Sequence, residues 1–149
     1  MSLEEYQKKR DFEKSSEPKG NENKDDKQGN MFVIQEHHSS HLHWDLRLEI
    51  DGVLKSWAVP KEPPIDKGTK RLAIQVEDHP VEYGSFEGVI PKGEYGAGTV
   101  SIWDKGIFVL GERSENKLTF ELKGKKMTGG YVLIKTPRMG EKSWLFFKR

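Results

Sequence analysis

The chain has 149 residues, enough for one domain with a real core, and it contains no cysteine. That absence removes disulfides, thiolate zinc sites and cysteine nucleophiles together. Hydrophobic residues make up 34% and charged ones 33%, yet the formal net charge is +1, so any nucleic-acid contact has to come from a local patch. With no apolar run long enough for a bilayer and no signal-peptide core, the sequence predicts a soluble cytoplasmic protein.

In chain order, residues 1 to 12 predict a short helix, with Ser2 as N-cap, Glu4 and Glu5 in the first turn and basic residues later. Leu3, Tyr6 and Phe12 are its few apolar side chains. From Glu13 to Asn30 there is no aromatic residue and no aliphatic one beyond Pro18, so this stretch reads as a flexible linker. The expectation is an N-terminal arm over 1–30, partly flexible, and a folded domain over 31–149.

Strands follow. Met31 to Glu36 is a first apolar run. His43 to Ile50 alternates strictly, with Trp44, Leu46, Leu48 and Ile50 on a packed face and His43, Asp45, Arg47 and Glu49 on the other. Asp51-Gly52 signals a hairpin into Val53 to Val59, which sets Arg47 opposite Ser56 and Asp45 opposite Ala58. Pro60, Pro63 and Pro64 stop the sheet in a loop that holds Lys61. Leu72 to His79 alternates again, with Leu72, Ile74 and Val76 as the packed face and Gln75, Glu77 and His79 opposite, until Pro80 ends it. The glycine-rich segment 84–98 predicts tight turns. Strands resume at Thr99 to Trp103, Ile107 to Leu110, Leu118 to Leu122, Tyr131 to Lys135 and Trp144 to Phe147, with turns at Asp104-Lys105-Gly106 and over 124–130. Many short strands separated by turns predict an all-β barrel or sandwich.

The chemistry concentrates on the polar row of His43 to Ile50. An imidazole and a carboxylate suit a divalent transition metal, and an adjacent guanidinium suits a phosphate or carboxylate. His37 supplies a third ligand if the loop before His43 turns back. His79 is the other candidate, since His43-x-Asp45 with a distal His79 has the two-His-one-carboxylate form of non-haem iron oxygenases. A solvated strand face accounts for one such histidine alone. The company of Arg47, Lys61, Arg71 and His79 favours phosphoryl chemistry, which needs several cations around the non-bridging oxygens.

The blocks Phe32-Val33-Ile34-Gln35-x-His37, His43-x-Asp45-x-Arg47-Leu48-Glu49 and Leu54-Lys55-Ser56-Trp57-Ala58-Val59-Pro60-Lys61 resemble the 3′-phosphoesterase module of bacterial DNA ligase D. So do Lys70-Arg71-Leu72-Ala73, Val76-Glu77-Asp78-His79-Pro80, Tyr83 and the run from Phe86 to Gly98. The resemblance covers nearly the whole chain, in the form of a stand-alone module. It implies a small closed β-barrel with a polar groove. It also implies manganese-dependent trimming of 3′ ends that finish in a ribonucleotide, as part of DNA repair by non-homologous end joining. A phosphodiesterase step would remove the terminal nucleoside, and a phosphomonoesterase step would then leave a 3′-OH.

Carried over by motif, His37, His43 and Asp45 match the metal ligands, for manganese or another divalent transition metal. Arg47, Lys61, Arg71, His79 and Tyr83 match residues around the scissile phosphate. His79 is the candidate acid–base, protonating the leaving oxygen or positioning a nucleophile. Arg10-Asp11-Phe12 and Glu17-Pro18 also resemble the family, with Ser15 in place of a threonine, and so bring Arg10, Asp11 and Glu17 toward the site. The implied partners are DNA or RNA–DNA 3′ ends, with a separate DNA ligase and polymerase; the protein itself is expected to be monomeric and away from membranes. A non-catalytic end-binding module and a cupin-type Fe(II) oxygenase are the alternative readings.

Overall fold

The alternation of His43 to Ile50 is realised as a strand whose apolar row faces a closed barrel. The computed structural model describes residues 3–10, 12, 17 and 29–149; Ser2, Asp11 and most of the segment read as linker lie outside the described residues. The strands are β1 (Met31–His38), β2 (Leu42–Ile50), β3 (Val53–Val59), β4 (Lys70–His79), β5 (Gly88–Ile90), β6 (Gly98–Arg113), β7 (Lys117–Lys123), β8 (Thr128–Lys135) and β9 (Ser143–Lys148). They pair antiparallel in the order β1-β2-β3-β4-β9-β8-β7-β6-β5, and an added β1–β6 pairing closes eight of them into a barrel, with β5 appended to β6. Closure leaves no free edge among those eight strands.

Leu46, Leu48, Trp57, Val59, Ala73, Phe120, Tyr131 and Phe146 fill the interior, with Trp44 packed against them. A second cluster lies outside the barrel. Tyr6 of the helix α1 (Glu4–Lys8), Tyr83 of the 3₁₀ turn Val81–Ser85, Phe86, Ile90 and Val100 pack with Leu54 there. This layer covers the outward row of β1 and β2, so Gln35, Asp45, Arg47 and Glu49 are buried although they point away from the core. Tyr6 is fully buried, and removing that ring from water contributes about 2 kcal/mol toward holding α1 in place. The helix is shorter than its sequence suggests, and Leu3 occupies its N-cap with no side-chain cap. Glu17, in the stretch whose composition reads as linker, is buried too, because Arg10 and Tyr83 satisfy its carboxylate.

Two local expectations fail, each for a physical reason. In β4 the packed residues are Ala73, fully buried, and Gln75, whose Oε1 accepts from Trp144 Nε1 at 3.2 Å; Ile74 is 37% exposed on the outside. Leu54 pairs with His79 but Ser56 pairs with Val76, so β4 carries one extra residue there. That bulge shifts the phase of the strand and turns both Val76 and His79 outward. At Asp104-Lys105-Gly106 no turn forms; β6 runs straight through. Asp104 is buried, accepting the backbone N–H of Lys105, Lys125, Lys126 and Met127 at 2.8–3.0 Å, and thereby ties β6 to the β7–β8 turn. Gly106 allows the Lys123 backbone a close approach that a Cβ would block.

Candidate active site

The outward rows of β1, β2 and β3 meet the bulged end of β4 at a cavity of about 300 Å³, roofed by Arg10, Tyr83, Ile90 and Tyr95. Register builds its floor. His37 stands opposite His43, Gln35 opposite Asp45, Arg47 opposite Ser56 and Asp45 opposite Ala58. Small Ser56 and Ala58 leave the space that the larger side chains border.

On one side, His37, His43 and Asp45 present ligand atoms within 4.8 Å of one another. His37 Nε2 donates to the Gly96 carbonyl at 2.7 Å, which leaves Nδ1 aimed at Asp45 Oδ2, 3.7 Å away. Gly96 sits at φ +76°, a backbone state that glycine adopts without strain, and so presents that carbonyl inward. His43 Nδ1 donates to the His41 carbonyl at 3.0 Å, leaving Nε2 3.4 Å from the same Asp45 oxygen. Backbone carbonyls therefore fix both tautomers, and two nitrogen lone pairs converge on one carboxylate oxygen, an arrangement suited to a cation between them. Burial opposes charge on His43, but Asp45 and the His41 carbonyl overcome it and raise its pKa. Burial would raise Asp45, yet Arg47 and the two imidazoles hold it well below the usual carboxylate range.

The opposite side belongs to His79. It is 3% exposed, with Nδ1 2.9 Å from the Glu77 carbonyl and 3.2 Å from Arg47 Nη1, and Nε2 3.3 Å from Arg10 Nη2. Burial, then the Arg47 and Arg10 guanidiniums, push its pKa well below the ordinary imidazole value, so it is neutral at pH 7. Tyr83 and Tyr6 pack on its ring at 4.7 and 4.9 Å. Arg10 also bonds Glu17 at 2.8 Å and Glu77 at 3.1 Å, while the Tyr83 hydroxyl donates to Glu17 at 2.9 Å.

Arg47 spans the two sides. Its Nε donates to Gln35 Oε1 at 2.6 Å, its Nη1 to Ser56 Oγ at 2.8 Å, and its Nη2 lies 3.5 Å from Asp45 Oδ2. Gln35 is itself held by the Tyr83 and Phe86 carbonyls at 2.7 and 3.1 Å.

Of the residues singled out from sequence, His37, His43, Asp45, Arg47, His79, Tyr83 and Arg10 line this cavity, and Glu17 stands behind Arg10 and Tyr83. Asp11 lies outside the described residues. Lys61 is exposed in the loop after β3, and Arg71 donates its Nε to the Glu62 carbonyl at 2.7 Å; neither lines the cavity. Sequence reasoning gave Ser56 only the part of a small residue that leaves room beside Arg47, and it gave no role to Gln35, Glu77 or Tyr95. A polar residue inside the apolar run of β1 is the one signal that points to Gln35.

Residues 35–135 match the family model of the DNA ligase D 3′-phosphoesterase domain. The chain is 48% identical over 153 positions to the multifunctional non-homologous end joining protein LigD of Pseudomonas aeruginosa, covering 98% of this chain and 18% of that protein. It is 48% identical over 135 positions to the LigD of Mycobacterium tuberculosis (88% of this chain, 18% of the relative). The LigD of Mycolicibacterium smegmatis is 46% identical over 151 positions (94% of this chain, 19% of the relative). The chain thus spans about a fifth of the length of the curated relatives it matches. It belongs to the DNA ligase D 3′-phosphoesterase domain family.

Proposed function

We propose that this chain is a manganese-dependent 3′-end-processing phosphoesterase that acts on DNA or RNA–DNA ends in repair by non-homologous end joining. A phosphodiesterase step removes a 3′-terminal ribonucleoside, and a phosphomonoesterase step then leaves a 3′-OH. The observation that carries this reading is the convergence of His37 Nδ1, His43 Nε2 and Asp45 Oδ2 beside Arg47 in one cavity. Two imidazoles and a carboxylate, with ring orientations fixed from behind by backbone carbonyls, fit a divalent transition metal. His37, His43 and Asp45 would hold the manganese ion, which when bound would supply Lewis-acid polarisation of a phosphate oxygen.

The chain's own groups do the rest. Arg47, pinned by Gln35 and Ser56, holds its guanidinium where negative charge develops on the phosphoryl oxygens; a preorganised donor of this kind contributes ~3 kcal/mol. His79 starts neutral, so once substrate displaces Arg10 from Nε2 it accepts there the proton of the water that attacks phosphorus, and passes it to the leaving oxygen as the P–O bond breaks. Arg10, anchored by Glu17 and Glu77, turns to a phosphate oxygen in the same movement. Tyr83 packs against His79 and under Arg47, fixing both. Lys61 and Arg71, outside the cavity, meet the strand beyond its terminal phosphate. A separate ligase and polymerase would act before or after this step on the same end.

Observations weigh against both alternatives. The oxygenase reading assigns His79 to the metal, but its ring nitrogens face Arg47, Arg10 and the Glu77 carbonyl. A binding module without catalysis has no use for a buried neutral histidine between two guanidiniums. The test is a labelled DNA strand ending in one ribonucleotide, incubated with chelator-stripped protein with and without manganese. The expected result is loss of the terminal nucleoside and then of phosphate, only with metal. Full turnover after exhaustive metal removal overturns the mechanism.

A further inference from the structure

The aromatic residues around the active-site cavity fall into two groups. Tyr6, Tyr83 and Phe86 are buried; their rings pack on one another, and both tyrosines pack on His79. Tyr95, at the lip of the cavity, is 48% exposed, the most exposed aromatic residue among those described. No aromatic ring of the described residues packs against it. Its ring instead lies beside two cations, with Lys9 Nζ 4.8 Å and the Arg10 guanidinium 5.3 Å from the centroid. The Tyr95 hydroxyl also accepts from Lys9 at 3.4 Å.

The backbone holds this ring in register with the metal side. Two successive turns enclose it: Glu94 N–H donates to the Pro91 carbonyl and Ala97 N–H to the Glu94 carbonyl, both at 3.0 Å. The third residue of each turn is a glycine at positive φ, Gly93 at +96° and Gly96 at +76°. Gly96 is also the residue whose carbonyl orients His37. An aromatic ring is thus presented to water on a tightly built turn, one residue from a group that fixes a candidate metal ligand.

The chemistry of the diester step says what reaches that ring. Water attacks phosphorus and the bond to the 5′-oxygen of the terminal nucleoside breaks. That oxygen leaves with the proton from His79 Nε2, and the phosphate stays on the 3′ end of the strand. The departing nucleoside therefore lies on the Nε2 side of His79. This is the side of Arg10, whose Nη2 is 3.3 Å from Nε2 and whose guanidinium stands beside Tyr95. We infer that Tyr95 is the stacking platform for the base of the 3′-terminal ribonucleotide, the leaving group of the diester step. Stacking on an aromatic face grips a base without reading its identity, which suits an enzyme that trims ends of any sequence. The inference rests on the phosphoesterase reading and adds a leaving-group subsite to it.

The test compares two labelled DNA strands, one ending in a ribonucleotide and the other in the same ribose with hydrogen in place of its base. Each is bound in chelator, followed by fluorescence anisotropy, and then turned over with manganese. Wild type should favour the base-bearing end about tenfold in affinity and in kcat/KM, toward the low end of what one base–aromatic stack contributes. Tyr95→Ala should erase that preference and treat the two ends alike. Tyr95→Phe keeps the ring but loses the hydroxyl bond to Lys9, and should keep the preference. A loss in Tyr95→Phe equal to that in Tyr95→Ala would mean that Tyr95 acts by anchoring Lys9, and would overturn the platform. A preference that survives Tyr95→Ala, or none in wild type, overturns it as well while leaving trimming itself intact. Failure of wild type to trim either end with manganese counts instead against the phosphoesterase reading, and the anisotropy measurement tells the two failures apart because it needs no turnover.

Discussion

Two histidines border the same cavity and are prepared for opposite work. His43 lies toward the mouth, 24% of its side chain exposed, beside a carboxylate that favours its charged form. His79 lies at the buried end between two guanidiniums that forbid it. One environment attracts a cation, whether a proton or a metal, and the other repels every cation, so a metal placed in this cavity has one preferred side. The difference arises from two strands. Unbroken alternation in β2 lines His43 up with Asp45, while the bulge in β4 swings His79 next to Arg47.

The comparison breaks most completely at the metal side. Replacing His43 or Asp45 with Ala should remove both manganese binding, read by calorimetry, and turnover of a 3′-ribonucleotide end. Turnover that survives Asp45→Ala at unchanged manganese affinity would show that the ion sits elsewhere. Next comes His79→Ala, which should leave metal stoichiometry near wild type while lowering the rate by about two to four orders of magnitude. A variant that no longer binds manganese would move His79 into the ligand set.

Sequence alone makes the first of these sides readable and the second only in part. Strict alternation from His43 to Ile50 and the Asp51-Gly52 turn specify which residues face which, so Arg47 opposite Ser56 and Asp45 opposite Ala58 follow from counting. A bulge cannot be counted in advance, because one inserted residue inverts the phase and leaves no compositional mark. Leu72, Ile74 and Val76 therefore look like the packed face of β4 when Ala73 is the buried residue. Asp104-Lys105-Gly106 misleads in the same way, since turn residues are chosen there for a distant contact, the backbone of 125–127. The arm is harder still. Tyr6 and Glu17 gain their burial from His79, Tyr83 and Arg10, contacts that span more than sixty residues for two of these pairs and carry no periodic signature.

A smaller effect should separate the two histidines by stability. In metal-free protein His43 has a raised pKa, so the folded state holds its proton more tightly, and this contributes stability at low pH that is lost as pH rises through the raised value. His79 has a lowered pKa, so its contribution is full above the unfolded value of ~6.5 and is lost as pH falls below it. Each histidine changes the slope by at most about 1.4 kcal/mol per pH unit. Denaturant melts of chelated protein between neutral and mildly acidic pH should show a flatter acid slope for His79→Gln and a steeper one for His43→Gln. Parallel slopes in the two variants would erase the contrast.

The smallest change tests the group that joins the two sides. Arg47 reaches Asp45 with Nη2 and His79 with Nη1, and its angle is set by Gln35 at Nε and Ser56 at Nη1. Ser56→Ala deletes one acceptor. Left alone, a buried guanidinium N–H without a partner costs about 1–3 kcal/mol. Here His79 Nδ1, already 3.2 Å from that nitrogen, can take the bond instead by moving its own proton to Nε2, which gives up the Glu77 carbonyl and the bond that Nε2 accepts from Arg10. That repair preserves the position of Arg47 but spends the Nε2 lone pair with which His79 would accept a proton. Manganese affinity should therefore be unchanged, while thermal stability should fall by about 1–3 kcal/mol whichever donor or acceptor is left unpaired. The rate should drop by less than about tenfold, with the loss in kcat and not in KM. A loss as large as that of Arg47→Ala would mean that Ser56 itself touches the phosphate, and its hydroxyl would then join the acid–base machinery beside His79.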